Sequence, residues 1–533
     1  TYDVQGGLVI ERGVTSLPIF VLNAYELTGP DNILTKLSIN TEAIVSNAGV
    51  IIDWVEFRYQ NQATDPLSFG KIFFFNSATT AKLNQIRVQT TDLFFTTNVD
   101  PNSTFTFDRV ELLENSTYFT DLGQLGYNIG TLVVGANLEN RSAIIIGPTQ
   151  TITRLEIHSE STVTNRGTLG SIFADDYVII TNSGTIQNTS AAAGAIEITG
   201  ANSANSSVTN SGTIHSSLGP SIYYSFTEYG KVTNSKTAVI TNEIGATISF
   251  MNNANGSISN LGSLSLVATT PNTVPVVSIA SSPGVSFINE GSLYSLRSDT
   301  QVLVDTIGST TTMSLLNEST GRIGVLPANP STLFAGDFLR IGAVTAGIQV
   351  TNKGWVYGNL NFTQTTTGSK FDNSRSTAVF IGALTIRSTD TNFFYSIGES
   401  GQNRITTLHL YANNYRFLQY VDFTPEILRI YSSVTGTPTL SVGENLTIQQ
   451  LIVDAPIVVD TFASLQTVSF NAAATLNNGG TITTLHNYAT GSVINNVIYV
   501  QSLPYYGTIA TVNLHGSGVI VNDPNNGVGT IIP

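Results

Sequence analysis

Side chains able to do chemistry are few in this chain and lie far apart. Two carboxylates adjoin at Asp175-Asp176, in FADDYV. Glycoside hydrolysis needs two carboxyls facing one bond, about 5 Å apart for retention and about 6.5–9.5 Å for inversion. Neighbouring strand residues point to opposite faces, so this pair could converge only at a turn; a solvated turn is the simpler reading. The five histidines, His158, His215, His409, His486 and His515, have no H-x-H or H-x-x-x-H spacing. The sequence therefore predicts no histidine metal centre, although stacking of distant segments could in principle join some of them. Oxygen-rich turns at Asp31 (GPDN), Asp100 (DPN) and Asp523 (DPN) are the candidate Ca²⁺ ligands, and each also reads as a plain turn. RTX nonapeptides, a G-x-S-x-G elbow and phosphate-cradling glycine loops are absent. The expectation is a protein that is not an enzyme and needs no cofactor.

Composition says what must carry these groups. Only 11% of the 533 residues are charged, while 41% are hydrophobic. An ordinary domain has about 25% charged residues, and a disordered chain would lack the apolar content. The polar surface must come from Asn, Thr, Ser and Gly. Thr and the β-branched aliphatics suit strands, and Asn and Gly suit turns. A net charge of −14, with 22 scattered basic residues, argues against nucleic acid and anionic membrane surfaces as partners. The chain has no cysteine, which excludes a disulfide framework. No apolar run reaches the roughly 18 residues of a membrane helix. A start at Thr1 without a leader-like segment fits a mature secreted chain, or equally a trimmed one.

An internal repeat supplies the architecture. VTNRGTL (Val163), ITNSGTI (Ile180) and VTNSGTI (Val208) share the pattern apolar, any, Asn, any, Gly, Thr or Ser, apolar. Looser copies are ISNLGSL (Ile258), FINEGSL (Phe287), VTNKGWV (Val350) and LNNGGTI (Leu476). Between them lie short strands anchored at Ile86, Val110, Leu132 and Leu155, and later at Leu360, Leu384, Leu408, Leu428, Leu451, Val468 and Leu485. An interval of roughly 17–24 residues without a helical stripe suits one coil of a parallel β-helix. The fold class predicted is all-β: a long, right-handed parallel β-solenoid of about 20 coils and about 95 Å at about 4.8 Å per coil. In it Asn165, Asn182, Asn210, Asn260, Asn289 and Asn352 would stack as an amide ladder at one turn. The Gly two positions later would supply a positive φ at the corner.

The repeat predicts three regions. Residues 1–80, richer in aromatics and charge, would form an N-terminal β cap or a sandwich-like domain; 81–515 the solenoid; 516–533 a tail able to exchange a strand. The TN-x-GTI units resemble those of bacterial secreted β-helix surface proteins, the autotransporter passengers and filamentous-haemagglutinin-like exoproteins, most closely over residues 160–265. That resemblance implies an extracellular or cell-surface location and an adhesive or structural role. Departures are the missing C-terminal barrel and secretion-domain motif.

The leading functional expectation is a secreted structural protein that self-assembles into a filament, sheath or surface layer. Strand addition would use Gly7, Leu8, Val9 and Ile10 at one end and Val519, Ile520 and Val521 at the other. The alternatives are a monomeric adhesin that binds cells or glycans and, third, a polysaccharide-active enzyme or tailspike. The aromatic clusters Phe73–Phe75, Tyr223-Tyr224, Phe393–Tyr395 and Tyr505-Tyr506 would be core, or contact anchors if exposed. Nine N-glycosylation sequons, among them Asn188, Asn205 and Asn317, are no more than chance supplies in so Asn- and Thr-rich a chain.

Overall fold

The structure, a computed structural model, describes residues 7–10, 19–23, 33–39, 43–48, 51–57, 72–76, 82–88, 93–96, 105–112, 127–135, 142–189, 194–202, 205–225, 229–251, 256–267, 274–280, 284–296, 302–306, 313–326, 329–334, 336–341, 348–362, 370–373, 375, 377–386, 404–410, 414–417, 426–431, 439–442, 447–500, 503–515, 519–521 and 528–532. Among these there is no helix. The strands stack almost entirely in parallel, as in a β-solenoid. Two compact units divide the chain, Thr1–Gly256 and Ser257–Pro533.

In the first unit, a long ladder runs through Gly7–Ile10, Ile33–Ile39, Ile51–Phe57, Lys82–Val88, Phe105–Leu112, Tyr127–Val134, Thr151–Ile157 and Thr168–Asp176. Among the described residues, shorter strands lie between most successive strands of this ladder. Ile19–Asn23, Ala43–Ala48, Ile72–Asn76 and Leu93–Thr96 form one parallel stack. Ser142–Ile146, Ser161–Asn165, Val178–Asn182, Ser207–Asn210 and Gly230–Asn234 form another. Beyond Thr168–Asp176 the long ladder splits. Thr168 pairs with Thr185, and Ile172 pairs with Ile196, so each later coil carries two short strands where earlier ones carry a single long strand.

The second unit shows the reverse. Two ladders, through Trp355–Tyr357 and Asn359–Phe362, merge on the eight-residue strand Val379–Ile386. A single long ladder then continues through Arg404–Leu410, Ile427–Ile430, Thr447–Val453, Ser464–Phe470, Thr481–Asn487, Thr508–Leu514 and Val528–Ile532.

The expected anchors are direct ladder partners. Ile86 faces Val110, then Leu132, then Leu155. Leu360 faces Leu384, then Leu408, Leu428, Leu451, Val468 and Leu485. The cap or sandwich-like domain expected over residues 1–80 and the tail expected over 516–533 both carry described strands that lie in parallel ladders. Residues 1–80 are no sandwich in their described strands, because Gly7–Ile10 already lies in the parallel ladder. Nor are the C-terminal strands a free tail. Val519–Val521 pairs with Val493–Asn495, and Val528–Ile532 with Thr508–Leu514. In-register stacking is set by the backbone and leaves outward positions free to vary, so aromatic and charged side chains do not by themselves mark a boundary.

Packing follows from one repeated inward pattern. Thr447–Val453, Ser464–Phe470 and Thr481–Asn487 bury their second, fifth and seventh residues, as Thr151–Ile157 does in the first unit. A step of three and then two means that the strand bends once, so its ends line two walls of the coil. The core is thus built of columns such as Ile448, Leu465 and Ile482, all buried. Larger rings fit where glycine makes room. In the first unit Tyr224 and Phe250 stack at 5.0 Å, and a Cβ on Gly230 or Gly256 would strike their rings. Burial also pushes the Tyr224 hydroxyl far above its ordinary pKa, and it donates to the Lys231 carbonyl at 3.1 Å.

Candidate functional site

The most regular polar feature is the corner that joins the short strand to the long one. In Ser161–Asn165 burial alternates, and Asn165 takes the last inward position. Its side chain therefore turns into the wall, where an unpartnered amide would be costly. The amide's hydrogen bonds are all made. Asn165 Oδ1 accepts from the Gly167 N–H at 3.1 Å, while Nδ2 donates to Asn182 Oδ1 at 2.7 Å and to the Thr185 carbonyl at 3.1 Å. Asn182 donates in turn to Asn210 Oδ1 at 2.8 Å, and Asn210 to Asn234 Oδ1 at 3.0 Å.

The second unit repeats the device. Asn260 donates to Asn289, Asn289 to Asn317, Asn317 to Asn352 and Asn352 to Asn373, each at 2.7–2.8 Å. Asn234, Asn317 and Asn373 are members that the motif did not reveal. LLNESTGRI carries extra residues before its glycine, and VTNSKTAV and FDNSRSTAV have no glycine at the corner. The available signal was an Asn two residues after an inward apolar residue. Two sequon asparagines are buried, Asn317 in this ladder and Asn188 at the end of Thr185–Asn188, each with Nδ2 donating to a main-chain carbonyl, which leaves neither amide open to a glycan.

The corner glycine has a different cause from the one expected. Among the described residues, positive φ occurs at Gly200, Gly324, Gly358, Gly491 and Asn205, not at Gly167, Gly184, Gly212 or Gly291. A Cβ on Gly184 would instead run into the Gly167 carbonyl oxygen, on Gly212 into that of Gly184, and on Gly291 into that of Gly262. Glycine is needed here because successive coils touch backbone to backbone.

The other predicted residues are dispersed. Asp175 and Asp176 lie where the ladder slips register between Ala174 and Asp176. Asp175 pairs with His158 Nδ1 at 2.9 Å, and Asp176 accepts from the Tyr177 N–H at 2.6 Å. They thus serve separate structural partners. His215 meets Thr241 at 2.9 Å. His409 meets the Tyr431 hydroxyl at 3.0 Å, and burial, aided by Arg429, holds its pKa below the ordinary value. Asp31, Asp100, Asp523 and Phe393–Tyr395 lie outside the described residues. Among those described, no group of three or more His, Asp, Glu or Cys could hold a metal ion.

One charged cluster sits in the second unit. Arg340 and Asp305 are ladder partners joined by two contacts from the guanidinium. Beside them burial pushes the Asp337 carboxyl upward, against the pull of Asn361, whose amide donates to it at 3.1 Å, and of Arg340. A raised pKa in the folded state means that the fold disfavours the carboxylate. The penalty is fully present above the raised value and fades as pH falls through it toward the ordinary carboxylate range. Asp337→Asn is therefore expected to raise stability at neutral pH and to abolish this gain on acidification, read as unfolding midpoints across pH.

A second exposed feature breaks the regular wall. Ladder partners on the last coils are 17 residues apart, as for Ser464 and Thr481, but 27 apart for His486 and Asn513. The excess is the antiparallel hairpin of Val497–Val500 and Leu503–Tyr506, set between Asn496 and Gly507-Thr508-Ile509. It stands where the corners at Asn165, Asn182, Asn210 and Asn478 have one residue between Asn and Gly. Asn496 closes its base, donating from Nδ2 to the Gly507 carbonyl at 2.7 Å. Tyr499, Leu503, Tyr505 and Tyr506 on it are 47–65% exposed, while Tyr224 of the other tyrosine pair is core. Tyr505 also packs edge-on against Phe462 at 5.8 Å.

Comparison with protein families, with curated proteins and with solved structures finds no match to this chain. No helix among the described residues is long and apolar enough to cross a membrane.

Proposed function

We propose that this protein is an extracellular structural protein whose copies join end to end by β-strand addition into a filament, sheath or surface layer. The observation that carries the reading is the state of its terminal ladder strands. Among the described residues, Gly7–Ile10 pairs only with Ile33–Ile39, and Val528–Ile532 only with Thr508–Leu514. Ile19–Asn23 and Val519–Val521 likewise have one neighbour each. A strand with a described neighbour on one side only can pair a further strand on the other, and so can template another chain. Seating Gly7–Ile10 of one copy on Val528–Ile532 of another would bring Ile19–Asn23 to Val519–Val521, continuing both ladders across the joint.

The test is negative-stain electron microscopy of the whole chain beside variants with Pro at Val9 or at Thr530. Proline removes a ladder donor and is tolerated only at edges, so each variant is expected to stay folded but to lose ordered polymers. Polymers of unchanged length in both variants, or none from the parent chain, sink the reading.

The tyrosine hairpin favours a second reading, adhesion to neutral glycans. Exposed Tyr rings flanked by uncharged polar residues can stack on sugar rings. Replacing Val497–Tyr506 by a single Asn is expected to leave assembly and folding intact and to abolish glycan retention, measured on immobilised polysaccharides.

A further inference from the structure

Two of the dispersed histidines are brought together by coil stacking. His486 lies on Thr481–Asn487 and faces Asn513 of the next long strand, and His515 follows that strand's end. The His486 Nδ1 and His515 Nε2 atoms are 3.3 Å apart, and Asn513 Nδ2 is also 3.3 Å from His486 Nδ1. The two imidazoles are nearly parallel, at 12°. Tyr488 stacks on the His515 ring at 4.4 Å and 8°. The His515 N–H donates to the Asn487 carbonyl at 2.9 Å, tying down the main chain beneath.

We propose that His486, His515 and Asn513 form a surface site for a divalent transition metal of the zinc class. Three donors converge here, two of them imidazoles, the ligand type that suits Zn²⁺, Cu²⁺ and Ni²⁺. A separation of 3.3 Å is long for a hydrogen bond between nitrogens, whose usual range centres at about 2.9–3.0 Å. It is close to the spacing, about 3.3 Å, of two nitrogens each about 2.0–2.1 Å from one tetrahedral zinc. Rotation of the rings out of their parallel arrangement, with His515 leaving its stack on Tyr488, would aim both lone pairs at a common point. A half-turn of the Asn513 amide presents Oδ1 in place of Nδ2 as a third ligand, a change that costs little at the surface. Water would complete the tetrahedron. The remaining histidines do not offer this, since His158, His215 and His409 meet Asp175, Thr241 and Tyr431 and not a second imidazole.

The experiment is calorimetric titration of the full chain with ZnCl₂ at neutral pH, followed by two-dimensional NMR of the imidazole nitrogens. One equivalent of Zn²⁺ is expected to bind. His486→Asn and His515→Asn should each weaken it at least tenfold, and Asn513→Ala less, while His215→Asn binds as the parent does. In the parent chain Zn²⁺ should shift the ring signals of His486 and His515 alone, which decides the question even if a variant folds poorly. Unchanged affinity in the His486→Asn, His515→Asn double variant, or ring signals that stay put at millimolar Zn²⁺, overturns the site.

Discussion

Asn182→Ala is expected to destabilise its unit by about 3 kcal/mol, a large loss for removing one amide. Asn182 is fully buried and sits mid-ladder, accepting from Asn165 and donating to Asn210 Oδ1 and to the Thr213 carbonyl. Each bond is worth only about 1 kcal/mol net, but a buried group left without its partner adds about 1–3 kcal/mol. Asn182→Asp should be worse at neutral pH, because a carboxylate would face two oxygens that now receive N–H groups. It should recover toward acid pH, where a protonated carboxyl can donate again. Urea unfolding followed by fluorescence gives the magnitude. Native-state hydrogen exchange gives the location, since solenoid coils depend mostly on their neighbours. If Asn182→Ala unfolds within about 0.5 kcal/mol of the parent, the ladder adds nothing beyond an ordinary surface position.

Gly212→Ala is expected to cost about 4 kcal/mol, in the exceptional tail for a single methyl group. The new Cβ would meet the Gly184 carbonyl oxygen, and backbone cannot rotate away as a flexible side chain can. Relief requires the two coils to part. That would strain the Thr213 N–H bond to the Gly184 carbonyl at 3.0 Å and the Gly212 N–H bond to the Asn182 carbonyl at 3.2 Å. Gly491→Ala is the control: its φ is +83°, and the nearest atom to a Cβ there is Ala473 Cβ at 3.9 Å. Only the left-handed conformation penalises that change, by about 1–2 kcal/mol. Thermal unfolding of both variants compares close approach with backbone conformation directly. A Gly212→Ala protein as stable as Gly491→Ala contradicts the steric account of the corner.

How much was legible differs from residue to residue. Ile86, Val110, Leu132 and Leu155 were legible because an inward position must be apolar in every coil, whatever the loop between. Asn165, Asn182 and Asn210 were legible because their corners are also tight and end in Gly-Thr. Asn317 and Asn373 were not, because the ladder constrains only the amide, and Asn-to-Asn intervals range from 17 to 35 residues along the chain. The hairpin in INNVIYVQSLPYYGTI was hidden for the same reason: it parts Asn496 from Gly507 without disturbing either.

The sequence by itself determined the strand class, the inward columns and the asparagine corners, since each depends on a residue's own type and its alternation along a strand. Only the tertiary structure decided where the ladders begin and end, that the corner glycines are there for backbone contact, and that His486 and His515 meet across 29 residues. Those outcomes depend on which coils lie one above another. Loop lengths between coils vary too much for spacing along the chain to report it.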